Sequence, residues 1–536
     1  MQELLQALPA QNPLTNSLAF DAMLDHGAVG VQTLVHLLDS GTTEEKISAH
    51  YALDGLALFC GALPNTDARR QTFVAALTNS LTSARPAVDQ AFLITRLSSC
   101  PSVEAIPSLR MFLHDDALCE PAAMVLQSTK DPAAGEALLQ AMAQNSDKNK
   151  KTLIQALGQI KYGKAGPELL KHAQAKNQAL KEAALFALAK MGWNQAEPVL
   201  QQNALQDDKF ASAWLTFADA TTETQRAIEI AKTIIHNREK TWPDHLRTAA
   251  LALLVKKTGA VALADLLEAA TNGPASLRAA ALRLAEPMTS DAATQAWLGI
   301  LPGLAPEAQM DVLALLGRQK ATSATTAMRE YSQSENAGVQ ASALQALTNT
   351  LGDASVKDLL SLLNTKPDET MRQQIKQSLL TLPHQALSRE WDRFYPTLNA
   401  TGKKLLLDVA VARQDTLRTA HLIEAMQSAD TALRQTGLEG LRVLGKADAV
   451  PACLSQLAKT SASQEVKAVQ DCIIDIVKRE KNQKPCLQKL EDYFQAVNQE
   501  EKIKLLRVWR GIGSEAALTQ VMSGSRDQAL KEEALR

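Results

Sequence analysis

Aromatic residues are scarce in this sequence: Phe, Trp and Tyr make up 4% of its 536 residues, although 46% are hydrophobic. Ala and Leu carry most of the apolar content, and no run alternates Val, Ile, Thr and Tyr. Strands favour β-branched and aromatic residues, so this scarcity argues against sheets and for helices packed through small side chains. An excess of charge of one sign is also missing. The 56 basic and 58 acidic residues leave a net charge of −2. A dedicated nucleic-acid binder usually carries a basic excess, so no nucleic-acid partner is expected, a local patch aside. No uninterrupted apolar run approaches the roughly 18 residues of a spanning helix, so no membrane span is expected.

Chemical motifs are equally sparse. The six cysteines, Cys60, Cys100, Cys119, Cys453, Cys472 and Cys486, form no C-x-x-C pair and no zinc spacing with histidine. They are read as small buried hydrophobes. No two of the nine histidines sit four apart, and H-E-x-x-H is absent. The phosphate-cradling glycine loops and G-x-S-x-G are missing as well. No catalytic residue, cofactor or metal is therefore expected, and the chain is read as not an enzyme. "HNREKTWPDH", His236 to His245, is the one stretch dense in His, Glu and Asp. It reads as a solvated connector with one half-buried Trp. The carboxylate pairs Asp115–Asp116 and Asp207–Asp208 fall at helix boundaries, where they cap free N–H groups.

What the sequence does contain is a repeat. "LKEAALFALAKMG" starts at Leu180, "LRTAALALLVKKTG" at Leu246, "VQASALQALTNTLG" at Val339 and "LRQTGLEGLRVLG" at Leu433. Similar segments recur about every 29 to 34 residues from "KISAHYALDGLALFC" at Lys46 onward, in about fifteen units. Such a period indicates a solenoid. In the Leu180 copy, Leu180, Ala184, Leu185, Leu188 and Met191 fall on one helical stripe. A break follows, often at glycine: Gly192, Gly259, Gly352, Gly445 and Gly513. These suit the left-handed position after a helix. A second helix then opens at proline, with Pro107, Pro167, Pro198 and Pro451 expected at its first position. The unit is a helix pair, too small to bury its own apolar face, so units stack. The expected fold is all-α, a right-handed α-solenoid, with residues 1–45 as an N-terminal helical cap and 46–536 as one continuous array.

The period, the "LKEAALFALAKMG…AEPVL" pattern and the Gly-to-Pro spacing resemble short bacterial HEAT repeats. That resemblance implies the armadillo-like helical fold and leaves function open, because HEAT arrays serve many tasks. A narrower resemblance covers roughly Gln2 to Gly192. "KISAHYALDGLALFC", "RRQTFVAAL", "AFLITRLSSC", "EAIPSLRMFLHDDALCEPAAMVL" and "NKKTLIQALGQI" are similar to the HEAT region of exported planctomycete- and verrucomicrobia-type proteins. In those, a 3-keto-disaccharide hydrolase domain often follows the array, so the resemblance implies an arm of a carbohydrate-active enzyme and an exported, periplasmic location. A bilin-lyase-like HEAT protein is a third reading, for which the sequence offers no distinctive Cys or His. "DQALKEEALR", Asp527 to Arg536, begins like "NQALKEAALFALAKMG" and stops, so the last repeat is expected to be cut and the natural protein to be longer. "MQELLQALPAQNPLTNS" shows no basic n-region and no apolar h-region, which reads as cytoplasmic if it is the natural start.

The favoured function is a non-catalytic scaffold that binds a protein partner or a neighbouring domain. Lysines cluster between Lys148 and Lys181, and stacking could align Lys148, Lys150, Lys151, Lys161 and Lys164 into a ridge for an acidic partner face. Trp193 and Trp242 fall near turns, where aromatic anchors serve as binding hot spots. These seven residues are the candidate partner-binding set.

Overall fold

The computed structural model describes residues 2–6, 8, 13–83, 85–237, 240–365, 367–524, 530 and 531. Every regular element among them is helical, α or 3-10, and none of them lies in a strand. Helices alternate as first and second members of pairs along the chain, and the fold is an α-solenoid. Two compact units are distinguished: Met1–Leu266 with Pro274–Ala281, and Leu267–Gly273 with Leu282–Arg536.

The helix Gln178–Met191 shows why these segments fold as they do. Asn177 caps it, its side-chain oxygen accepting from the N–H groups of Ala179 and Leu180 at 3.0 and 3.3 Å. Leu180, Ala184, Leu185 and Leu188 are buried along one stripe, while Met191 is half-buried. The helix closes at Gly192 with φ +63°, and the Trp193 N–H reaches back to the Leu188 carbonyl at 3.3 Å. That closure needs the left-handed conformation, which glycine adopts without a Cβ penalty.

In the first unit, Cys119–Thr129, Asp147–Ile160 and Gln178–Met191 are first helices packed side by side. Their second helices, Pro132–Met142, Gly166–Ala173 and Glu197–Gln206, pack against first helices. The high Ala and Gly content has a direct structural use. A Cβ added at Gly158 would lie 2.6 Å from the Ala187 Cα, so two first helices touch backbone to side-chain root. In the second unit, the same approach joins Pro306–Arg318 to Ala337–Leu351, where a Cβ at Gly317 would meet the Ala346 Cα at 2.6 Å. Farther along that unit, Ser463–Arg479 packs on Gln499–Ile512. One core cluster runs there from Leu344 to Ala517.

The structure corrects three details. Short 3-10 turns, Val103–Ala105, Gly163–Ala165 and Asn194–Ala196, precede the second helices Ile106–Arg110, Gly166–Ala173 and Glu197–Gln206. Pro107, Pro167 and Pro198 therefore occupy the second helical position, not the first, and so does Pro451 in Val450–Lys459. The proline is tolerated there for the same reason, since that N–H also lacks an intrahelical partner. Of the five break glycines, Gly445 does not take the left-handed position expected of it. Gly445 has φ −60°, an ordinary extended conformation, whereas Lys130, Lys161, Lys320 and Gln414 adopt positive φ at other helix ends. Trp242, expected half-buried, is 1% exposed.

All six cysteines are buried free thiols. Asp115 and Asp207 cap as expected, accepting from the N–H groups of Ala117 and Lys209 at 2.8 and 3.0 Å. The third helix, Gly27–Ser40, packs on both helices that follow it, Thr43–Ala62 and Ala68–Ser80. The expected cut repeat at 527–536 lies outside the described residues, except for Leu530, which is buried, and Lys531, which is exposed.

Candidate partner-binding site

The lysine cluster divides between the two ends of one helix. Asp147–Ile160 has 14 residues, which at 1.5 Å per residue spans about 20 Å. Lys148, Lys150 and Lys151 lie in its first turns. Lys161 follows its last residue with φ +60°, and Lys164 lies in the next 3-10 turn. These five residues do not form one ridge. Lys148 is further engaged, its Nζ donating to the Asp116 carbonyl at 3.1 Å.

At the turn end, the aromatics tie successive units together. The Trp193 ring lies over Gly166, where an added Cβ would come within 2.3 Å of it, and Tyr162 covers Gly135 in the same way at 2.5 Å. The Tyr162 hydroxyl donates to Glu136 at 2.5 Å, which holds that carboxyl below its usual range and raises the phenol to about 12. Trp193 is half-buried on the same edge as exposed Lys161 and Lys164. Trp242 belongs to the interior. The Lys240 ammonium sits 4.2 Å from its ring centroid while bonding the Ala204 and Leu205 carbonyls at 3.0 Å and Asp208 at 2.7 Å. In the same stretch, His236 lies 2.8 Å from Asp265. Positions 238 and 239 of that stretch fall outside the described residues.

Lys151 leads to a groove. It lies on the exposed side of the first helices, with a volume of about 530 Å³. One wall is Lys151, Gln155 and Gln159, and the other is Ala179, Ala183 and Ala187, with Phe186 and Lys190 beside them. Both rows step by four, so each forms a line along its helix. Gln127 contributes from the preceding first helix, and Glu182 at the rim accepts from Lys209 at 3.0 Å.

A second groove, of about 690 Å³, lies in the other unit between Ser463–Arg479 and Gln499–Ile512. Lys467, Lys504, Arg507 and Arg510 line it against two carboxylates, Asp471 and Glu500, with Val466, Ile474 and Ile503 as apolar contacts. Lys504 is anchored, bonding the Thr460 carbonyl at 3.0 Å and Glu500 at 3.1 Å. Buried Gln470 donates to the Lys504 carbonyl at 2.8 Å and so joins the two helices. The sequence reading missed this groove because its two rims are about 40 residues apart. The available signal was Arg507 and Arg510, three apart on the side of the helix away from Leu505, Leu506 and Trp509.

Among the described residues, no group of three or more His, Cys, Asp or Glu side chains is placed to hold a metal ion. No helix among them is long and apolar enough to cross a membrane. The grooves offer charge, amides and apolar surface, which are means of holding a ligand.

Comparison with known proteins places the repeats in context. Residues 135–218 match the family described as HEAT repeats. No curated protein matches the sequence. Among solved structures, importin beta in an ammonium sulfate condition is 13% identical with a TM-score of 0.36, over 99% of this chain and 81% of that one. Kap95p, described with RanGDP, is 12% identical with a TM-score of 0.37, over 100% and 84% of the two chains. Kap121p bound to Nup53p is 10% identical with a TM-score of 0.31, over 100% and 70%.

Proposed function

We propose that this chain is a non-catalytic HEAT-type scaffold that binds other proteins through grooves on the exposed side of its first helices. The observation that carries this reading is the pair of grooves, each lined mostly by side chains outside the buried core, with a few packing residues such as Ala187 and Val466 at the base. Stacked repeats present such side chains at fixed spacing on a rigid framework, which suits contacts distributed over many positions. Binding proceeds by shape and charge complementarity, with no bond made or broken. Of the candidate set, Lys151 acts inside a groove. Lys161, Lys164 and Trp193 form a separate turn edge available to the same partner. Lys148 and Lys150 lie in the first turns of the helix that carries Lys151, outside the groove lining, and Trp242 supports from within.

The test is site-specific photo-crosslinking in the native host, with a benzophenone amino acid at Gln155 and, separately, at Lys467. The expected result is a discrete covalent adduct with another protein from at least one site. The absence of adducts at both sites, with the chain expressed and folded, would overturn the scaffold reading. The reading as an arm of a 3-keto-glycoside-hydrolase-like enzyme rests on sequence resemblance alone. Sequencing the locus beyond codon 536 tests it, with a β-rich catalytic domain as the expected continuation.

A further inference from the structure

We infer that Cys453 and Cys472 are a disulfide site, joined covalently when the chain folds in contact with a small-molecule disulfide. The inference is independent of the scaffold reading and concerns the wall of the second groove.

Proximity is the first argument. Cys453 lies in the second helix Val450–Lys459, and Cys472 lies in the first helix Ser463–Arg479 that packs on it. The residues are 19 positions apart in sequence, and their sulfurs are 4.0 Å apart in space. A disulfide holds its sulfurs at about 2 Å. The remaining gap of about 2 Å is closed by rotation about one Cα–Cβ bond with a small helix adjustment.

The absence of competing partners is the second argument. Among the described residues, each of these two sulfurs has no hydrogen-bond partner but the other. Cys100 differs, since its Sγ donates to the Ala57 carbonyl at 3.0 Å.

The closed native core protects the pair. Both residues are 0% exposed. The hydrogen bond with Cys453, together with burial, pushes the Cys472 thiol above its ordinary range. The attacking species is the thiolate, so the link forms before the two helices close, or when they part locally. One cysteine thiolate attacks the small disulfide and expels one of its halves as a thiol. The second thiolate then attacks the sulfur of the first cysteine and expels the other half. The two cysteines lose two electrons and two protons, and the small disulfide gains both and leaves as two thiols.

The link has a consequence for the groove. The helix of Cys472 also carries Lys467, Gln470 and Ile474 of its lining. A bond to Cys453 pins that wall to the helix behind it and restricts the unfolded chain.

The test refolds the full chain from urea in oxidised and reduced glutathione, blocks remaining thiols, and maps tryptic peptides by mass spectrometry. Cleavage after Lys446, Lys459, Lys467 and Lys478 places the two cysteines in separate peptides, 447–459 and 468–478. The expected result is these two peptides joined in most molecules, with four of the six cysteines blocked. The urea midpoint of the linked chain should exceed that of the same chain kept in dithiothreitol. Cys453→Ala and Cys472→Ala should each abolish both the joined peptide and the redox difference in midpoint. If the chain does not refold, native chain held in oxidised glutathione just below its urea midpoint gives the same readout. Absence of the joined peptide would overturn the inference. So would links scattered among the other cysteines, or a link that lowers the midpoint.

Discussion

The two grooves occupy equivalent places, between neighbouring first helices, yet they are chemically unlike. The one at Gln127–Lys190 pairs a wall of two amides and one lysine with a wall of alanines. The one at Ser461–Arg510 pairs cationic rims with isoleucines. The repeat sets where a groove falls, because the core-facing positions are fixed by packing. The exposed positions are free to vary, and they decide what the groove can hold. One fold can thus offer different ligand chemistry at successive sites.

This comparison predicts a ranked set of effects. The largest is on the wall between core and groove. Trp509→Ala empties a buried site and is expected to cost about 3–5 kcal/mol, read as a lowered urea midpoint. A cost below about 1 kcal/mol would show that the helix behind the cationic groove is not packed as described. Next, Gly158→Leu forces a side chain against the Ala187 backbone beneath the amide-lined groove. It is expected to cost about 1–3 kcal/mol, read as a lowered urea midpoint. A cost below about 1 kcal/mol would show that these two first helices do not approach as closely as described. Phe186→Ala should be milder, about 1 kcal/mol, because the ring is only half-buried on the groove wall. Stability equal to that of Trp509→Ala would reverse the assignment of Phe186 to the groove surface.

The smallest effect is a pH dependence confined to the second unit. His421 packs edge-on against Tyr395 and Trp391, with ring centroids 4.6 and 5.8 Å away. Burial, aided by the positive charges of Arg418 and Lys403 against Glu424 and Asp392, holds its pKa below the ordinary 6.5. The unfolded chain then binds the proton more readily than the native one. Stability should hold above about pH 6.5 and fall as the pH drops below that value. His421→Gln should flatten this slope in thermal melts between pH 7 and pH 5. An unchanged slope would place its origin elsewhere.

Much of the fold was legible because helix periodicity and repetition are properties of neighbouring residues. The Leu180 stripe, the Gly192 break and the packing of helices through small side chains follow from composition and spacing. The site was less legible. Lys151 was found as one of many lysines, but its partners Gln155, Gln159 and Phe186 carry no motif. Lys161 and Lys164 look contiguous with Lys148 in sequence, yet one helix length separates them. Trp242 reads as a turn residue and is buried, because Lys240 folds over its ring and carries the polar contacts outward.

The sequence by itself determined an all-helical repeat array, its period and its core stripe, since each depends on residues within one or two turns. Only the tertiary structure decided which exposed residues face one another across neighbouring helices. Those residues lie some thirty to forty positions apart. Their meeting depends on how each helix is rotated about its axis, and that rotation is set by the packing of Gly158 on Ala187 and its counterparts.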